Sequence, residues 1–262
     1  MRELTEYVPG EPWCPDGVYR VDYTSVADGT RDWALVRPPE SGRGDWIVNL
    51  HGHGSTGDQL YTRADLGPRK DQFLAAGFGI LTPNLRGNAW MCPAAVQDLH
   101  ALLEHLRVRH GAQRFVFYSG SMGGTSTLIY AVRYPEDVAG LAALCPATDL
   151  PSYYDWLDRG DPPVLNEIQD AIRTAYRGSP KTRPDVFAAN SALANAERLT
   201  MPVALVHGDA DATIPVEQTR RLVQRLRDME ATFTYRELSG GHHDSPITGA
   251  DGMLEWVLDA LG

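Results

Sequence analysis

Short apolar runs and longer helical repeats alternate along most of this chain. Trp46-Ile47-Val48-Asn49-Leu50, Phe78-Gly79-Ile80-Leu81-Thr82-Pro83, Arg114-Phe115-Val116-Phe117-Tyr118, Val138 to Cys145 and Val203-Ala204-Leu205-Val206 are short and bounded by turn residues. Runs of that kind suit strands buried on both faces. Between them the apolar spacing lengthens. Pro68 to Ala76 reads as a helix stopped by Gly77. Pro93 to Arg109 is the clearest helix, because Val96, Leu99, Leu102, Leu103 and Leu106 share one stripe, the proline suits a first turn and Gly111 lies just past the end. Thr125 to Tyr134, Val164 to Tyr176, Val216 to Met229 and Ala250 to Leu261 predict further helices, and Thr232 to Leu238 a last strand. Upstream, Val18 to Val26 and Thr30 to Val36 flank Asp28-Gly29 and predict a β-hairpin.

Strands alternating with helices predict an α/β fold with a mostly parallel central sheet covered by helices on both faces. Residues 1–262 read as a single domain. Residues 1–17, with Pro9, Gly10, Pro12, Pro15 and Gly17, read as an irregular arm. Residues 146–200 break the rhythm with Pro, Asp, Tyr and Asn, and read as an insertion after the sixth strand that could serve as a lid. In sheets of this kind ligands bind beyond the carboxyl ends of the strands, so candidate residues are sought there.

Composition narrows the field little. Of 262 residues, 43% are hydrophobic and 22% charged, ordinary for a globular protein. The formal net charge of −10 disfavours nucleic acid and anionic membrane surfaces as partners, since both need clustered cations. Met1 to Glu6 holds no apolar leader and no run is long enough to span a bilayer, so a cytoplasmic location is expected. Cys14, Cys92 and Cys145 form no C-x-x-C pair and suit a reducing compartment.

The chemistry centres on Ser119-Gly120-Ser121-Met122-Gly123-Gly124, between a strand and a helix. A serine on so sharp a turn holds its hydroxyl above the sheet, and the flanking positions must be small. The motif approximates G-x-S-x-G with Ser119 at the first glycine. A serine hydroxyl needs a base, and the base needs a carboxylate to orient it. Asp211 follows one strand and His242 follows another through Ser239-Gly240-Gly241; Asp209 and His243 stand beside them as alternatives. The order serine, aspartate, histidine is that of α/β-hydrolases.

Together, His51-Gly52-His53-Gly54, the Ser121 motif, His207-Gly208-Asp209-Ala210-Asp211 with Ile214-Pro215, and Gly240-Gly241-His242 resemble the α/β-hydrolase superfamily. The nearest subgroup is the dienelactone-hydrolase and prolyl-oligopeptidase-like esterases. The likeness covers roughly residues 18–262 and is weakest over 146–200. It implies Asp211 as the acid, with Asp209 bracing the turn, and His242 rather than His243 as the base. It also implies the backbone amides of His53 and Met122 as oxyanion donors, a structural role for His51, and no cofactor. The activity implied is that of a serine esterase cleaving a small-molecule carboxylic ester. A peptidase or thioesterase of the same fold, and a non-catalytic binding protein, are the alternatives. Peptide-cleaving relatives normally carry a large propeller, for which this sequence leaves no room.

Several further readings complete the expectation. Trp90, Met91, Tyr153, Tyr154 and Trp156 are taken as substrate-binding residues, pointing to an acetyl or aryl ester of a carbohydrate or other small molecule; the alternative is that they pack the insertion onto the body. His51, His53, His207, His242 and His243 all follow strands, but without an H-E-x-x-H helix or a cysteine framework no metal site is expected. His100, His105 and His110 read as packing residues, Asp98 and Glu104 as a solvated face, and Cys145 as a buried inert thiol.

Overall fold

The computed structural model describes residues 4–7, 14–40 and 44–262. Its strands are β1 (Leu4–Tyr7), β2 (Tyr19–Thr24), β3 (Arg31–Arg37), β4 (Asp45–Val48), β5 (Gly79–Pro83), β6 (Arg114–Gly120), β7 (Gly140–Leu144), β8 (Val203–Gly208) and β9 (Phe233–Leu238). They form one nine-stranded sheet in the order β1-β2-β3-β5-β4-β6-β7-β8-β9. The first three strands, and the pairing of β3 with β5, are antiparallel; every pairing from β5 to β9 is parallel.

The apolar runs become central strands because each face meets its own core. Trp46 and Val48 of β4, with Phe115 and Phe117 of β6, point into one cluster, while Ile47, Val116 and Tyr118 point into the other. This is the period-two alternation of a strand, with both sets of positions apolar. The helices are α1 (Gln59–Thr62), α2 (Gly67–Ala75), α3 (Pro93–His110), α4 (Met122–Arg133), α5 (Leu150–Trp156), α6 (Val164–Ala175), α7 (Pro184–Ala189), α8 (Glu217–Asp228), α9 (Ser245–Gly249) and α10 (Met253–Leu261). Leu99 of α3, Leu128 of α4 and Leu222 of α8 cover the first face. Leu60 of α1, Phe73 of α2 and Val257 of α10 cover the second.

Three expectations are corrected. The arm is not irregular throughout: Leu4–Tyr7 adds an antiparallel edge strand to β2, while residues 8–13 lie outside the described residues. The insertion therefore follows the seventh strand, and it holds α5 and α7 besides the expected α6. Asp98 is not solvated; it is 1% exposed and its carboxylate accepts a 2.7 Å hydrogen bond from Arg86 Nε. Helix α3 otherwise ends where glycine permits, at Gly111 with φ of 64°. Among the described residues no helix is long and apolar enough to cross a membrane.

Candidate active site

Ser121 sits where β6 gives way to α4. Its backbone is left-handed, with φ of 58° and ψ of −128°, a strained setting for a residue with a Cβ. The amide of Ser121 donates to Leu144 O of the neighbouring strand at 2.8 Å, which fixes the turn. Gly123 lets the helix start press against the loop after β4, since a Cβ there would lie 2.1 Å from Leu50 O. Ser119, at the first glycine of the motif, has a use: its buried hydroxyl accepts the Leu50 N–H at 2.9 Å.

A second close approach assembles the other half. A Cβ on Gly208 would lie 2.1 Å from Gly241 O, so the end of β8 and the loop after β9 touch backbone to backbone. The Ala210 N–H donates to that same carbonyl at 3.0 Å. Successive side chains beyond Gly241 then leave on different sides. His242 is exposed, with Nδ1 3.2 Å from Ala210 O. His243 turns inward: its Nδ1 lies 2.7 Å from Asp211 Oδ2 and its Nε2 2.8 Å from Ser121 Oγ. The imidazole that meets Ser121 and Asp211 is therefore that of His243, and not that of His242 as expected from the sequence. The G-G-H pattern pointed to the first histidine, but the backbone contact at Gly208 sets the register one residue later.

Asp211 rather than Asp209 faces the imidazole. Asp209 Oδ1 accepts the Gly240 N–H at 2.6 Å and braces the turn. Asp211 Oδ1 accepts the Thr213 and Ile214 amides at 2.8 and 2.9 Å, and its Oδ2 receives His243 together with His207 at 3.2 Å. His207 is fully buried; its Nδ1 accepts from Thr219 Oγ1 at 2.7 Å, so Nε2 carries the proton toward Ile214 O and Asp211. Burial alone would raise the Asp211 pKa, but hydrogen bonds from His207, His243 and the Ile214 amide hold it well below the usual carboxylate range. An ionised Asp211 accepts only, so Nδ1 of His243 bears a proton, and Nε2 accepts from the serine when the imidazole is neutral.

Sequence reasoning placed nothing basic beside Cys145. In space its buried thiol, the Asp211 carboxylate and the His243 imidazole offer donor atoms all within 4.8 Å of one another. Among the described residues this is where such donors converge, and not at the His51 turn, whose imidazole Nε2 faces Asn84 O at 2.9 Å. Burial would depress the His243 pKa; the Cys145 sulfur and the Asp211 carboxylate outweigh it and push it up to about 10.

The family model described as serine aminopeptidase, S33, matches residues 75–185. Esterase LipC of Mycobacterium tuberculosis is 34% identical over 91 residues, 34% of this chain and 23% of that protein. Monoacylglycerol lipase of Mycolicibacterium smegmatis is 25% identical over 197 residues, 63% of this chain and 70% of that protein. The structure of a puromycin-hydrolyzing peptidase from M. tuberculosis matches with a TM-score of 0.70 at 20% identity, over 89% of this chain and 38% of that one. The chain thus spans about a quarter of that esterase and well under half of that peptidase. The mostly parallel sheet with helices on both faces is shared with that structure.

The chain has the α/β-hydrolase fold.

Within this fold a cavity of about 220 Å³ opens beside Ser121 and His243. Leu60, Leu66, Leu144 and Ile247 line it, with Val164 and Ile168 of α6. His53 also lines it, and Met122, the first residue of α4, follows Ser121 directly. The Trp90 indole donates to His53 Nδ1 at 3.2 Å, and burial lowers the His53 pKa, so this imidazole is a neutral, anchored group.

The aromatic residues assigned to substrate binding do not line this cavity. Trp90, Met91 and Tyr153 are at most 2% exposed. The Trp90 and Tyr153 rings pack 5.7 Å apart, Tyr153 stacks on Trp156 at 6.0 Å, and Tyr154 meets Phe187 edge-on at 5.9 Å. Trp90 and Tyr153 pack the insertion onto the body, while Tyr154 and Trp156 make ring contacts within the insertion. The carbohydrate reading rested on these residues and loses that support.

Proposed function

We propose that this protein is a serine hydrolase that cleaves carboxylic esters through an acyl-enzyme intermediate. The observation that carries the reading is the continuous relay from Ser121 Oγ through His243 to Asp211. His243 Nε2 takes the Ser121 proton as Oγ attacks the ester carbonyl carbon. The resulting oxyanion accepts hydrogen bonds from the backbone amides of Met122 and His53, the first reinforced by the N-terminus of α4. The carbon–alkoxide bond then breaks, and His243 passes its proton to the departing alkoxide. Water repeats the sequence to release the acid and restore Ser121.

The esterase and the lipase among the relatives favour an ester over an amide, as does a narrow, mainly apolar cavity. A peptidase is the second reading, favoured by the S33 match and the puromycin-hydrolyzing neighbour. A fluorophosphonate probe should label Ser121, and p-nitrophenyl esters of short acyl chains should be turned over. Turnover of amino-acid anilides but not of esters would shift the assignment to the peptidase; no labelling and no turnover would sink both.

The pH dependence follows from His243. Only the neutral imidazole can accept the serine proton, so kcat/KM should be low in acid and rise with pH. Because the His243 pKa is raised above 6.5 toward about 10, the midpoint of the rise is expected above 6.5. Asp211→Asn removes one upward pull and leaves the depressing effect of burial, so its midpoint should move down in pH. It should also cost about 10⁴-fold in kcat. A midpoint unmoved by the substitution would detach Asp211 from the titrating group.

A further inference from the structure

The cavity beside Ser121 is lined by both apolar and polar side chains, among them a buried arginine. Arg69, on α2, is 9% exposed and lines the cavity together with Tyr118 and Ser121. Its guanidinium carbon lies 4.5 Å over the Tyr118 ring. Its Nη1 donates to the neutral Gln72 Oε1 at 2.6 Å. Gln72 in turn reaches Glu255, which is exposed, so the carboxylate stands one residue removed from the charge. Among the described residues no carboxylate pairs with Arg69 directly. The contrast is Arg63 at the cavity mouth, which is paired with Asp65 at 2.8 Å and with Asp244 at 3.6 Å.

A buried cation without a counter-charge is costly, and proteins seldom keep one unless something pairs with it. The stack on Tyr118 offsets part of that cost and holds the planar fork in place. With Nη1 occupied by Gln72, the fork still has donors for a carboxylate in the cavity. We propose that the Ser121 cavity takes an ester bearing a carboxylate, held by Arg69, with the apolar residues around Leu60, Leu66 and Ile247 covering the short chain between the two groups. This rests on the serine hydrolase reading and extends it to a substrate class, a small acidic ester.

The test compares three esters, with each rate divided by the uncatalysed hydrolysis rate of the same ester: p-nitrophenyl butyrate, the mono-p-nitrophenyl ester of glutaric acid, and 4-carboxyphenyl butyrate. The first is neutral, the second carries its charge on the acyl side and the third on the alcohol side. The readout is the ratio of kcat/KM for a charged ester to that for the neutral one. One of the two charged esters should be favoured by the native chain, which tells which side of the ester meets Arg69. In Arg69→Gln that ratio should fall by about 10- to 100-fold, the range for losing a hydrogen bond to a charged partner. A variant whose rates all fall together keeps its ratio, marks Arg69 as a structural residue and overturns the proposal. A native chain that favours the neutral ester over both charged ones overturns it as well. Calorimetric binding of glutarate to Ser121→Ala, with and without Arg69→Gln, separates the two layers of the reading. Arg69-dependent binding without any ester turnover would keep the carboxylate site and retire the hydrolase; ester turnover with Arg69-independent binding would do the reverse.

Discussion

Replacing His243 by alanine is expected to lower kcat by about 10⁶-fold, while His242→Ala should stay within a few-fold of the native protein. The two histidines are chain neighbours with near-identical composition around them, so the comparison isolates geometry. His243 spans the 2.8 Å and 2.7 Å contacts that join the hydroxyl to the carboxylate. Without it the hydroxyl loses its base and the buried Asp211 loses a hydrogen bond. His242 is exposed and touches only the Ala210 carbonyl through its ring. Steady-state kinetics on the two variants decide the matter, and a larger loss at His242 would move the base to the other residue.

Ser121→Ala should cost a similar 10⁶-fold in kcat and abolish fluorophosphonate labelling, with substrate binding nearly kept. Residual turnover above the uncatalysed rate is expected from the oxyanion donors, which the substitution leaves in place. A companion variant tests the turn itself. At φ of 58° an alanine keeps the strain of a Cβ, whereas glycine does not. Ser121→Gly should therefore be as inactive as Ser121→Ala yet unfold at a higher temperature. Equal melting temperatures would show that the turn carries no strain.

The parts of the fold that the sequence made legible are those with local causes. Continuous apolar runs such as Trp46 to Leu50 can only be strands covered on both sides, and proline and glycine mark the two ends of α3. The edge strand Leu4–Tyr7 has no such run, because an antiparallel edge needs only backbone partners. Helices α5 and α7 are too short to show a repeat. Ser121 and Asp211, the two residues that face His243, stood out because each closely follows a strand. The histidine did not, because its register depends on Gly208 meeting Gly241, a contact across 33 residues. Arg69 was missed for a related reason: a lone arginine on an amphipathic helix reads as solvent-facing until its neighbours are known. The aromatic cluster misled in the opposite direction, since Trp90 and Tyr153 serve the interior and not the cleft.

Helix α6 roofs the cavity with Val164 and Ile168, and the chain just beyond it is pegged down. The Tyr176 hydroxyl donates to Trp90 O at 2.8 Å, and Asn190 Nδ2 reaches Met91 O at 3.1 Å and the same hydroxyl at 3.0 Å, all of them buried. Swinging this roof away as a flap would strand those groups at about 1–3 kcal/mol each. Trp90 also donates to the His53 ring, so the motion would pull on the loop after β4. The doorway is then the rim where Arg63 reaches across to the exposed Asp244. Under the proposed esterase activity, the girth of an acceptable ester would depend on how far that pair of side chains can part.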